Sequence, residues 1–209
     1  MFDSSREPSV ERTHEGFGEL SRDVSRDMSH DMSGDLSRDV RAQSKASPDP
    51  RGGQVASLVA LATLTAAAAM AGSMAAGDSP SFYAQLDKPS FAPPAAVFGP
   101  VWTTLYVLMT IAAWLGVRER GWRNSQGLVG LYVAQLVANM LWSILFFGRR
   151  LGAAALLDVL LLWALVGALC SLLYGIRRLA AALMAPYLLW VTFAAILTFS
   201  VWRRNPGLL

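Results

Sequence analysis

The sequence predicts an all-α membrane protein, a bundle of five transmembrane helices preceded by a disordered, polar N-terminal tail. Three observations carry that expectation. Of the 209 residues, 54% are hydrophobic and only 16% charged, against roughly 25% charged in average soluble chains. The charge is also segregated. Residues 1–53 hold eleven acids and eight bases, a net of −3, while the rest of the chain holds four acids and ten bases, a net of +6. Between its charged clusters that second part carries five apolar runs of about 20 residues, the length that crosses roughly 30 Å of hydrocarbon.

In chain order, residues 1–53 form the first region. They repeat a tetrapeptide of the Ser-Arg-Asp-Val type, beginning at Ser21, Ser25, Ser29, Ser33 and Ser37. The apolar stripe Val24, Met28, Met32, Leu36 and Val40 would drift about 40° per step on a helix. Ser, Asp and Gly dominate the segment, so a low-complexity solvated tail is the expectation. Eleven acids argue against a transit peptide, and 53 polar residues are too many for a secretory leader.

The second region, residues 54–205, holds the spans. Gln54–Ala76, Val97–Val117 and Leu128–Phe147 contain no charge, Ala153–Tyr174 contains only Asp158, and Leu179–Trp202 contains none. Backbone polar groups in lipid must be satisfied within the segment, which makes each run a helix. The first ends in small residues, Met70 to Gly77, that resemble a signal-peptidase site. The four spans that follow favour an uncleaved helix, and Ala67, Ala71 and Ala75 give it a face that admits a close neighbour, suited to a homodimer. Bases near the membrane number eight on the N-terminal side (Arg41, Lys45, Arg51, Arg118, Arg120, Arg123, Arg177, Arg178). The other side has five: Lys88, Arg149, Arg150, Arg203 and Arg204. The positive-inside rule then places the N-terminus inside.

Several chemistries are excluded early. A single cysteine, Cys170, rules out an intrachain disulfide and a cysteine-based metal site. Both histidines, His14 and His30, lie in the tail, so the spans offer no imidazole to zinc or haem iron. The bases sit in loops between apolar runs, not in a stripe interleaved with aromatics, so no nucleic-acid partner is expected. No nucleophile–base pair or metal triad occurs in the spans, which disfavours hydrolytic and metal-dependent catalysis.

What remains is an aromatic interior. The connection Phe82–Pro100 contains Pro89, Pro93, Pro94 and Pro100, whose fixed φ stiffens it. With Phe82, Tyr83 and Phe91 it is suited to capping one end of the bundle. On the second span Phe98, Trp102, Tyr106 and Met109 share one face, and on the third Gln135, Asn139, Trp142 and Phe146 do the same. On the fifth, Trp190, Ala194, Thr198 and Trp202 share a face. Polar groups within lipid turn to the bundle interior, so Asn139 and Asp158 mark the inside. Trp114, Trp122, Trp163 and Trp202 read as filler or interfacial belt.

Three blocks are specific enough to name a resemblance. The first is Tyr83, then Leu86-Asp87-Lys88-Pro89-Ser90-Phe91-Ala92-Pro93-Pro94, then Val97-Phe98-Gly99-Pro100-Val101-Trp102-Thr103-Thr104-Leu105-Tyr106. The second is Asn139-Met140-Leu141-Trp142-Ser143-Ile144-Leu145-Phe146-Phe147-Gly148. The third is Pro186-Tyr187-Leu188-Leu189-Trp190-Val191-Thr192-Phe193-Ala194, closing at Phe199-Ser200-Val201-Trp202-Arg203-Arg204-Asn205. In content and order they resemble the TspO/MBR family, the tryptophan-rich sensory proteins known in animals as translocator proteins or peripheral benzodiazepine receptors. The resemblance covers residues 54–205 and leaves out the tail.

That resemblance implies a five-helix bundle, a homodimer, and a pocket for porphyrins and related hydrophobic ligands at the capped end. Carried over residue by residue, the ligand-binding positions are Tyr83, Pro93, Phe98, Trp102, Asn139, Trp142, Asp158, Trp190 and Ala194. It implies no required cofactor, with porphyrin or haem as ligand and no metal-binding residues. Two departures matter. Phe91 stands where many members have tryptophan. Phe199 stands where the family's sterol-binding segment needs a tyrosine before its base, here Arg203, so sterol is not an expected ligand. Three functions are compatible with these residues. The first is tetrapyrrole binding for transport or stress-linked sensing, by a protein that is not an enzyme. The second is light-dependent porphyrin breakdown with Trp102 and Trp190 as the reactive pair, and the third is a structural or partner-binding membrane subunit.

Overall fold

The computed structural model describes residues 50–77 and 79–209; the tetrapeptide repeats lie outside the described residues. Five long helices run through that region, each long and apolar enough to span a bilayer. They are α1 (Pro50–Ala75), α3 (Ala95–Arg120), α4 (Gln126–Ser143), α5 (Gly152–Ile176) and α6 (Arg178–Arg204), and a short helix α2 (Ser79–Gln85) lies between the first two spans. The all-helical, five-span expectation therefore holds.

The helices overrun the apolar runs by a few residues at most ends, because a helix continues until its terminal groups reach solvent or a cap. Arg118 and Arg120 fall in the last turn of α3, and Arg203 and Arg204 in the last turn of α6, where cations complement the helix dipole. Gly121, at φ 77°, ends α3 and donates its N–H to the Val117 carbonyl at 2.8 Å. The third span is more irregular than its sequence suggests. It enters through a 3₁₀ turn, Trp122–Ser125, and leaves through a π-helical turn, Ile144–Gly148. The cap between the first two spans also differs from the stiff loop expected there. Pro80 occupies the second position of α2, where a missing donor costs nothing.

Helices in lipid associate through close packing and hydrogen bonds more than through apolar burial. α6 lies chiefly against α5 and α3, and α5 also against α4. Tyr132, Tyr187, Met109, Met184, Leu169 and Leu173 are fully buried between them. Leu157, Leu161, Leu189, Ile196 and Val107 point outward, the lipid-facing surface of a span. The two ends are tied differently. At one, Arg177 pairs with Glu119 between half-exposed side chains. At the other, α2 and the loop after it cover the bundle and meet the end of α6.

Candidate functional site

Polar side chains on three spans build the floor of the capped end. Tyr106 of α3 donates its hydroxyl to Asn139 Oδ1 of α4 at 3.0 Å, and Asn139 Nδ2 donates to the Tyr187 hydroxyl of α6 at 3.2 Å. Tyr187 in turn donates to Gln135 Oε1 at 3.1 Å. One turn deeper, Thr65, Thr110 and Tyr132 join α1, α3 and α4, with Thr110 donating to Thr65 at 3.0 Å. Both clusters fix helix rotation, and so decide which aromatic faces turn inward.

Above that floor lies a continuous aromatic cluster. Trp102 meets Tyr106 with ring centres 5.5 Å apart, Tyr187 at 6.2 Å and Trp190 at 6.4 Å. Phe98 meets Trp190 at 5.9 Å and Tyr83 of α2 at 5.4 Å, both edge to face. Trp142 stacks on Phe146 at 5.5 Å with 13° between planes, and meets Phe147 edge-on. The π turn explains that last arrangement. One extra residue per turn presents both Phe146 and Phe147 beside Trp142, a re-aiming typical of such turns.

Two chambers share this wall. The larger, about 630 Å³, lies between the C-terminal half of α1, helix α2, α3 and the end of α4. Its α1 side is small or flexible (Ala69, Met70, Gly72, Ser73, Met74 and Ala76), and its opposite side is aromatic (Tyr83, Phe98, Trp102, Tyr106, Trp142 and Phe147). The smaller is an apolar gap of about 20 Å³ inside the bundle, lined by Trp190, Phe193, Ala194 and Leu197 together with Tyr83, Phe98, Trp102, Trp142 and Phe147. It has room for about one water.

The residues expected at the site fall into three groups. Tyr83, Phe98, Trp102 and Trp142 line both chambers; Trp190 and Ala194 line only the smaller. Pro93, Asn139 and Asp158 line neither. Pro93 acts through its carbonyl, which accepts the Tyr83 hydroxyl at 3.0 Å and so orients that ring. Burial pushes the Tyr83 phenol up, so it remains the donor in this bond well into alkaline pH. Asn139 belongs to the floor, and Asp158 lies buried in α5 with Oδ2 unpartnered, as is the Trp142 indole nitrogen. Phe91 remains in the cluster, edge to face with Phe193 at 6.3 Å. Of the tryptophans read as filler, Trp114 donates to the Gln54 carbonyl and Trp163 to Thr192.

Sequence reasoning missed the α1 side of the larger chamber, and Ser79, Pro80, Thr103 and Ser143 with it. The small residues of α1 were the available signal, but the face read from them, Ala67, Ala71 and Ala75, does not line the chamber. Small residues let a neighbouring helix approach, or leave a void where none does.

Residues 58–203 match the model of the TspO/MBR family. Among similar proteins, Protein CrtK of Rhodobacter capsulatus is 40% identical over 154 residues, covering 72% of this chain and 96% of its own length. The Translocator protein of Homo sapiens is 41% identical over 133 residues, 63% of this chain and 79% of that protein. The Tryptophan-rich protein TspO of Chlorobaculum tepidum is 36% identical over 127 residues, 60% and 80% of the two chains.

Proposed function

The chain belongs to the TspO/MBR family of integral membrane proteins, and from that premise we propose that it binds a flat, hydrophobic tetrapyrrole in the chamber between α1 and α3, for transport or sensing. The observation that carries the reading is the chamber itself. Its volume of about 630 Å³ falls in the range of small-molecule sites, roughly 300–1,000 Å³. One wall is a sheet of Trp and Tyr faces on which a π-macrocycle stacks. The opposite wall of Ala, Gly, Ser and Met yields to a broad ligand.

A macrocycle cannot enter the 20 Å³ gap as it stands, so the inner aromatic cluster backs the chamber wall behind the ligand. Among the described residues, the chamber wall contains no histidine. Metal-free porphyrin, or haem held without imidazole ligation, is the form that suits it. The names of relatives, Translocator protein and Tryptophan-rich sensory protein, support binding over catalysis. A homodimer through the exposed Ala67, Ala71 and Ala75 of α1 belongs to the same reading.

One observation favours a second reading. Trp102 stands on the chamber wall with its ring centre 6.4 Å from that of Trp190 behind it, the pair that light-dependent porphyrin breakdown would require beside the ligand. Quenching of tryptophan fluorescence by protoporphyrin in detergent tests the first reading. Saturable quenching, weakened at least tenfold by Trp102→Leu, is expected; identical titrations for both proteins would remove Trp102 from the site. Bleaching of bound porphyrin in light that Trp102→Phe abolishes would select the second.

A further inference from the structure

The last span ends in an unusual contact. Asn205, buried just past α6, accepts the backbone N–H of Asp87 through Oδ1 at 2.9 Å and donates from Nδ2 to the Asp87 carbonyl, also at 2.9 Å. One side-chain amide thus satisfies both backbone groups of a residue 118 positions earlier, as a neighbouring β-strand would. A further Nδ2 contact to the Val201 carbonyl at 2.8 Å fixes the amide against α6. Arg204 adds a longer, exposed pair to the Asp87 carboxylate at 3.7 Å.

Asp87 leads directly to the lid. The next residue, Lys88, donates to the carbonyls of Tyr83 at 2.8 Å, Leu86 at 3.0 Å and Ala84 at 3.3 Å. These include the last carbonyls of α2, which have no partner within a helix. Tyr83 is thereby held where its ring meets Phe98 and walls both chambers. None of Asn205, Asp87 and Lys88 reaches either chamber, so none could bind a ligand there directly.

We propose that Asn205 is a positioning residue for the ligand site. It pins the lid at Asp87 so that Tyr83 closes the chamber, and its strength sets how long a ligand stays. The inference rests on the binding reading above for its ligand. A purely local role, capping the C-terminus of α6, is the competing account, since the Asn205 N–H also bonds the Val201 and Trp202 carbonyls.

The test compares the full chain with Asn205→Ala and with Arg204→Gln in detergent. Hydrogen exchange is measured without ligand, and protoporphyrin release is followed by recovery of tryptophan fluorescence. Asn205→Ala should speed exchange across 83–90 and raise the protoporphyrin dissociation rate about tenfold, the scale of one to two lost hydrogen bonds. Exchange within 178–200 should not change. Arg204→Gln, which removes only the exposed pair, should match the parent in both. Unchanged exchange across 83–90 would overturn the proposal. So would faster exchange there with an unchanged release rate, or loosening confined to the end of α6. Failure of the parent chain to bind protoporphyrin would sink the tetrapyrrole reading alone. The exchange at 83–90 would then still decide whether Asn205 holds the lid.

Discussion

Tyr187→Phe removes one oxygen atom from the centre of the bundle and leaves the ring in place. Tyr187 is fully buried, so the substitution opens almost no space and the ring contact with Trp102 survives. What disappears is the link between two amides. Asn139 Nδ2 loses its acceptor and Gln135 Oε1 loses its donor, at residues only 5% and 0% exposed. A hydrogen bond between spans contributes about 0.6 kcal/mol on average, and an orphaned buried amide group costs about 1–3 kcal/mol. Gln135 Nε2 keeps a contact to the Met109 sulfur and Asn139 Oδ1 keeps the Tyr106 hydroxyl, so neither amide is stranded entirely. The expected loss is about 2 kcal/mol, roughly thirtyfold in the folding equilibrium. Reversible unfolding in mixed detergent, followed by helical circular dichroism, measures it. Trp163→Phe is the control, since its indole bonds Thr192 on the half-exposed outer surface and should cost under about 1 kcal/mol. Equal costs for the two variants would show that the buried amides are not sustained by Tyr187, and the account of the floor would be wrong.

Other substitutions separate packing from function. Gly148→Ala would place a methyl 2.8 Å from the Ala75 carbonyl oxygen; it should destabilise by about 1–3 kcal/mol in the same unfolding experiment, by forcing the end of α1 away from the π turn. Asp158→Leu removes a buried carboxyl group whose Oδ2 has no partner, so stability in detergent should rise, since an unpartnered polar group buried in a span is costly; a fall would mean that Asp158 is paired inside the bundle. Arg177→Gln breaks an ion pair between half-exposed groups at the opposite end and should change stability by less than about 1 kcal/mol and leave porphyrin titrations unchanged.

The inward faces were legible because alternating three- and four-residue spacing on a helix is a strong signal. Gln135, Asn139, Trp142 and Phe146 share a stripe in the sequence, and all four are buried. Asn139 and Asp158 were readable as interior from polarity alone. Their contacts were not, since periodicity gives a face but not a partner, and Asn139 serves Tyr106 and Tyr187 beneath the chamber. The α1 wall left little trace, because a run of Ala, Gly and Ser is apolar all round and has no stripe to read. The short helix α2 was hidden by Pro80 in a proline-rich segment, although proline is well tolerated at a helix start. The clamp between Asn205 and Asp87 acts on backbone atoms, so the sequence of residues 86–88 carries no mark of it.

The central claim is that the chamber between α1 and α3 holds the ligand, and filling the chamber tests it most directly. Gly99 lies on the α3 wall with no atom within 4 Å of an added Cβ, and Ser73 lies on the α1 wall. Gly99→Phe and Ser73→Phe therefore occupy the space without removing any aromatic group or floor hydrogen bond. The account predicts that either variant folds with parental stability and loses protoporphyrin quenching by at least tenfold in apparent affinity. Parental affinity in both would contradict it and place the ligand elsewhere on the bundle.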